Sequence, residues 1–409
     1  EGSGLRESPY LVRRGDGQVV QLTRLLYLLL EEAEPNRDLA VVGNRAGKQL
    51  DLRITPDQVR HVFDRKLAPL GLAVDSKGFV AEPSPVEDVM ALRMRVGLVP
   101  PNVVGAVAGV LRHLFHVPAV ALVLGALLAG DILLLVHGGF GAGLNHVIQS
   151  PELTLLLFAL TWLSLAFREL GHAAACRFGG GRPGRIGAGI YIVWPVFFSD
   201  VTDSYRFGRR ARLRVDLGGV YFNGIFALAV MALYAATGFA PLVLVVAAQH
   251  ALVVNQFIPW IKLDGYYVVS DLIGVSDLYS RIGPTLRSLR PGRETDVRVR
   301  QLKPWARAAV TGWVLTTVVA LSGALVWMLA SAPEYLERAW ASIRAQTGAI
   351  TGGAGLVETV AGALSVGLLI LPVLGLIVTY VLLCRQAGTL LAIARCRRVL
   401  SAAATTTDD

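Results

Sequence analysis

Charge is scarce in this sequence. Asp, Glu, Lys and Arg make up 17% of its 409 residues, against about 25% in an ordinary soluble domain. Apolar residues make up 54%, and the mean hydropathy is +0.53. These values exclude a disordered chain and a typical soluble enzyme. Cysteine is scarce too: Cys176, Cys384 and Cys396 are odd in number and far apart, which excludes a disulfide framework. Glu1 to Pro9 is polar and has no apolar signal region. Opening on Glu1 rather than Met, the chain reads as truncated or processed. Acidic residues are the minority, 30 against 39 Lys and Arg, for a net charge of +9. The cations fall in loops between apolar runs. They read as flanks that hold helices in an anionic bilayer, not as a nucleic-acid surface.

The first 95 residues differ in composition from the rest and read as a small cytoplasmic α+β domain. Tyr10–Arg14 and Gln18–Leu22 are strand-like runs around Gly15-Asp16-Gly17, a hairpin signal. Thr23 is placed to cap a helix through Leu25, Leu26, Leu29 and Leu30 to about Glu34. Thr55-Pro56-Asp57 pairs a cap with Pro at the first helical position. The helix after it carries Val59, Val62, Phe63 and Leu67 on one face. Gly78-Phe79-Val80 suits a last strand. A hairpin with small helices is compatible with a winged-helix-like module, and equally with a generic α+β cap.

Residues 96–400 form the membrane domain, and 401–409 a disordered tail. A span needs about 20 mostly apolar residues. Six stretches qualify: Val117–His137, Thr154–Cys176, Val215–Thr237, Leu242–Ile261, Ala306–Leu329 and Val360–Leu383. Val103–His116 reads as an amphipathic lead-in on the membrane surface. Loop charge orients the spans. Gly138–Pro151 and Gly238–Pro241 contain no Lys or Arg, whereas Arg177–Arg214 has eight Arg and Lys262–Arg307 has nine Lys or Arg. The tail adds Arg385, Arg395, Arg397 and Arg398. This alternation puts both termini in the cytoplasm.

Ionisable groups inside a span are costly and mark function by default. The second span ends Arg168-Glu169-Leu170-Gly171-His172. On a helix, residues 168 and 172 lie about 40° apart around the axis and about 6 Å along it. This is the spacing of a zincin helix, in which two His bind zinc and the Glu between them is the general base. Here the first ligand position holds Arg168. A guanidinium is always protonated and has no lone pair for a metal. The plainer reading is an Arg/Glu pair where the helix leaves the bilayer, with Arg168 snorkelling. The fourth span ends at Pro259, which breaks the helix, so Asp264 falls on irregular backbone at the membrane edge. Asp264 is either a third metal ligand or the cap of a helix over Gly265–Ile273. His250 reads as a hydrogen-bonded span histidine, Asp131 as a span carboxylate without a legible partner, and Asp200 and Asp203 as loop caps or the lining of a substrate entrance.

Together, Glu-Leu-Gly-His-Ala at 169–173 and Leu-Asp-Gly-Tyr-Tyr at 263–267 resemble the site-2 protease family of membrane zinc metallopeptidases. Ser270-Asp271-Leu272, and Trp194-Pro195 followed by Asp200-Val201-Thr202-Asp203, are similar to its bacterial peptide zinc metalloprotease branch. The resemblance is strong over about residues 150–290 and looser over most of the chain. It implies His172 and Asp264 as zinc ligands, Glu169 as general base and Asn255 as a supporting polar residue. It also implies a peptide or membrane-protein substrate and a bacterial cytoplasmic membrane. The N-terminal module is similar to winged-helix domains that bind leader peptides, which implies a leader-peptide or export partner through residues 1–95. Gly179–Val196 would be a membrane-associated strand region able to hold substrate by adding a strand. Arg168 departs from the family pattern and leaves three accounts open: a protease weakened at its metal site, a metal-free pseudoprotease in which Arg168 supplies the cation, or an inactivating substitution in an ordinary protease. A membrane transport or export component is the alternative from another class.

Overall fold

The computed structural model describes residues 3–351 apart from 8–9, 15–18, 34–36, 74–92, 150–151, 192–193 and 291–294, together with scattered positions between 355 and 378. The expected strand at Gly78–Val80, the tail 401–409 and half of the expected sixth span, Val360–Leu383, lie outside these residues.

The N-terminal module follows its local signals. β1 (Tyr10–Arg13) and β2 (Val19–Leu22) pair antiparallel, with Tyr10 opposite Leu22. α1 (Arg24–Glu31) begins at Thr23, whose side chain accepts from the Leu26 N–H. α2 (Leu39–Leu50) has no counterpart in the sequence reading. Gly43 and Gly47 weaken its helical signal, yet Gly43 is needed because a Cβ there would meet the Ile54 carbonyl at 2.7 Å. α3 (Pro56–Val62) starts on a complete Thr55/Gln58 capping box. Leu28, Leu29, Val42, Ala46 and Val59 form the module's core.

The membrane domain contains β3 (Arg93–Val99), α4 (Pro101–Leu111), α5 (Val117–His137), α6 (Phe140–Gln149), α7 (Glu152–Phe178), β4 (Ile186–Tyr191), β5 (Trp194–Ser199), α8 (Arg209–Thr237), α9 (Pro241–Gln256), α10 (Asp264–Ile273), α11 (Ile282–Ser288), α12 (Val297–Arg300) and α13 (Pro304–Thr351). Among the described residues, four helices are long and apolar enough to cross a membrane: Val117–His137, Leu153–Phe178, Arg209–Thr237 and Pro304–Arg338. This is the mark of a membrane protein, with the expected first, second, third and fifth spans in place. The fourth is shorter than expected. α9 is a 16-residue apolar helix that stops at Gln256, because Pro259 has no N–H to extend the helical ladder.

β3, β4 and β5 form one antiparallel sheet in that order. β3 therefore straddles residue 95, where the composition changes, and joins the N-terminal segment to the membrane domain. The lead-in is more than a surface helix. α4 turns Val104 and Ala108 inward against Ala173 of α7 and Ile186 of β4.

The centre of the domain is the contact of α7 with α8, made close by small residues. Ala173, Ala174 and Ala175 are fully buried. A Cβ at Gly171 would collide with the Gly218 carbonyl and approach Phe222 Cγ to 2.7 Å. Gly171→Ala should therefore push the two helices apart, costing roughly 1–3 kcal/mol. Gly312→Ala, whose new methyl meets nothing within 4 Å, should be near neutral. Thermal unfolding of both variants in detergent checks the contrast.

Candidate functional site

α7 delivers three of the four key side chains on adjacent faces. Arg168, Glu169 and His172 all point into the protein, where Glu169 is 3% and His172 8% exposed. The His172 ring lies against α8, and only glycine fits beside it. A Cβ at Gly219 would collide with Nε2 and come within 3.0 Å of Arg168 Cγ. His172 Nδ1 lies 2.8 Å from the Val215 carbonyl. A carbonyl only accepts, so Nδ1 carries a proton and donates, and Nε2 is the nitrogen turned toward the site.

Asp264 arrives from the other side. Phe257–Leu263 is irregular, and α10 starts at Asp264 itself. The irregular stretch is held by its carbonyls: Trp313 Nε1 donates to Pro259 O at 2.9 Å, and the Tyr279 hydroxyl donates to Trp260 O. Gly265 is required because a Cβ would lie 2.6 Å from the Phe257 carbonyl carbon. Asp264 is 7% exposed, and its Oδ2 sits 3.7 Å from His172 Nε2.

The Arg168 guanidinium occupies the middle of this arrangement. Nη1 donates to Glu169 Oε1 at 2.6 Å. Nη2 donates to Asp264 Oδ1 and, at 3.3 Å, to Gln256 Oε1. Ser199, at the end of β5, donates to Glu169 Oε2 at 2.9 Å. The Arg168, Glu169 and Asp264 side chains are 11%, 5% and 9% exposed. Arg168 therefore does not snorkel; it is the shared cation of two buried carboxylates. Arg168 Nε and Asp264 Oδ2 are buried without a hydrogen-bond partner.

These donors do not compose the zinc site that the spacing implies. His172 Nε2 and an Asp264 oxygen face each other, but the third position carries a guanidinium, which has no lone pair. Among the described residues no three His, Cys, Asp or Glu side chains are grouped to hold a metal.

The other sequence candidates fall elsewhere. The Asn255 side chain is exposed, and its neighbour Gln256 reaches Arg168 instead. Asp200 caps its own loop, its Oδ1 accepting from the N–H and hydroxyl of Thr202 at 3.1 and 2.6 Å. Asp203 is buried and accepts from the Arg182 N–H at 2.9 Å. Both serve the loop fold and do not join Arg168. Asp131 has a partner after all: His250 Nε2 lies 3.2 Å from its Oδ2, with His250 Nδ1 2.9 Å from the Val246 carbonyl.

Sequence reasoning missed Gln256, Ser199 and Asn223. Asn223, one helical turn beyond Gly219, is 1% exposed and neither amide atom is hydrogen-bonded. Its one legible signal was an amide in an apolar run. Beside the site, Arg212 of α8 donates to Asp271 of α10 at 3.0 Å. Burial pushes the Asp271 carboxyl above its ordinary value, and Arg212 works against that rise. Comparison with protein-family models, curated proteins and solved structures finds nothing that matches the chain.

Removing the shared cation should be severe. Arg168→Met leaves two carboxylates buried together and should cost about 3–5 kcal/mol. Adding Asp264→Asn to that variant removes one uncompensated charge and should restore part of the loss. A double-mutant cycle on thermal unfolding measures both.

Proposed function

We propose that this chain is a membrane-embedded peptide-binding protein built on a site-2-protease-type scaffold, with the Arg168 guanidinium standing where the family holds its metal. One observation carries this reading: Arg168 bridges Glu169 and Asp264 beside Nε2 of His172. The paired carboxylates are the groups that the family uses as general base and ligand. A guanidinium there compensates one of their two negative charges and hydrogen-bonds both, without supplying a Lewis acid. β5 is an edge strand of the described sheet and brings Ser199 to Glu169, so an extended peptide added along β5 would run toward the guanidinium.

The same reading includes the finer topology: six spans with Val360–Leu383 as the last, both termini in the cytoplasm of a bacterium, and a winged-helix-like module over residues 1–95 that takes a leader peptide or an export partner. Zinc-dependent peptide hydrolysis is the activity that this scaffold would carry with His at position 168. The test is zinc content and peptide cleavage for the purified chain and for Arg168→His. Zinc and cleavage only in the His variant support the reading. Stoichiometric zinc in the unaltered chain overturns it and makes the chain a zinc protease.

A second reading, transport, is favoured by the Asp131–His250 pair, 3.2 Å apart on α5 and α9. Both His250 nitrogens face oxygen acceptors, the Val246 carbonyl at 2.9 Å and Asp131 Oδ2 at 3.2 Å, so a polar pair lies within the apolar helices. If the chain moves a solute, Asp131→Asn should abolish movement in proteoliposomes and Glu169→Gln should leave it intact. Binding of peptide with no such dependence favours the first reading.

A further inference from the structure

Away from the Arg168 site, the N-terminal module meets the base of α13. The stretch from Ser3 to Arg6 is laid against the membrane domain: Arg6 N donates to Gln301 O at 2.8 Å, Lys303 N to Gly4 O at 2.8 Å, and Gly4 N to Gly274 O at 3.0 Å. Between this stretch, the start of α1, Arg281 and α12 lies a cavity of about 460 Å³. Four of its lining residues are arginines, Arg6, Arg24, Arg281 and Arg300, and Glu7 is the one acid among them. The formal balance of the lining is thus three positive charges in excess. Arg281 is half-buried, with its Nε buried and without a hydrogen-bond partner. Its Nη1 is spent on the Arg298 carbonyl. Burial pushes the guanidinium below its ordinary value; Asp277 opposes this and Arg298 adds to it. Thr23, the cap of α1, also lines the cavity, so the positive end of that helix faces the same space.

We propose that this cavity binds a phosphate group, carried either by an acidic phospholipid headgroup or by a small soluble phosphate ester. Arg6, Arg300, the donors that Arg24 and Arg281 do not spend on the Gln49 and Arg298 carbonyls, and a helix N-terminus fit the several oxygens of a phosphate. Arg6, Arg24 and Arg300 are exposed and Arg281 is half-buried, so their excess positive charge is open to an anion arriving from solution or from the membrane surface. The volume exceeds what a bare phosphate requires and leaves room for the group it is attached to. The position suits a headgroup: α12 ends at Arg300, and the apolar segment of α13 begins at Pro304.

The full chain in phosphatidylcholine nanodiscs provides the test. Thermal unfolding is followed with inorganic phosphate against sodium chloride at equal ionic strength, and again in nanodiscs that contain phosphatidylglycerol. A rise of the unfolding midpoint with phosphate assigns a soluble ester, and a rise only with phosphatidylglycerol assigns a headgroup. In either case Arg281→Gln with Arg300→Gln should weaken binding about tenfold or more, as expected for lost charged hydrogen bonds. Glu7→Gln changes an exposed side chain that holds no core contact, and it should tighten binding. Arg287→Gln, an exposed arginine outside the cavity, should change nothing. No rise with either probe overturns the proposal, and so does an equal response in all three variants.

Discussion

A single cation between two buried carboxylates organises the centre of this protein. Arg168, Glu169 and Asp264 come from two separate stretches, α7 and the start of α10, and each is nearly closed to solvent. In such surroundings a lone carboxylate costs several kcal/mol, and a shared guanidinium offsets that only when its geometry is good. The neighbouring structure supplies the geometry. Gly171, Gly218 and Gly219 let α8 close on α7 and press against the His172 ring. Pro259 ends α9, and the irregular turn after it is fixed by Trp313 and Tyr279 so that Asp264 reaches the cation.

Part of this was legible in the sequence. The i, i+4 spacing of Arg168 and His172 put them on one helix face, and Pro259 announced the break before Asp264, although Asp264 itself opens α10 after its cap Leu263 and is neither on irregular backbone nor the cap. Thr23 and Thr55 marked real helix starts. Other parts were hidden for physical reasons. Which amide of Asn255 and Gln256 turns inward depends on the rotation of the last turn of α9, which no local pattern records. Asp131 and His250 are 119 residues apart, so their pairing is purely a tertiary fact. Asp200 and Asp203 carry the same chemistry as site carboxylates, and only their partners, Thr202 and the Arg182 N–H, identify them as loop braces.

The composition changes near residue 95, within β3 (Arg93–Val99). β3 belongs to the sheet whose far strand carries Ser199 to Glu169. The N-terminal segment is also bonded to the base of α13 through Gly4 and Arg6. Strand pairing and backbone contacts across a compositional border leave no periodic trace, so neither contact was legible in the sequence.

The identity of the central cation has a consequence of another kind. A bound metal ion is acquired after synthesis and is subject to supply, competition and exchange. The positive charge at residue 168 is part of the polypeptide, present from translation in every copy and fixed in stoichiometry. That charge does not depend on metal supply: no chelator removes a guanidinium and no competing ion replaces it.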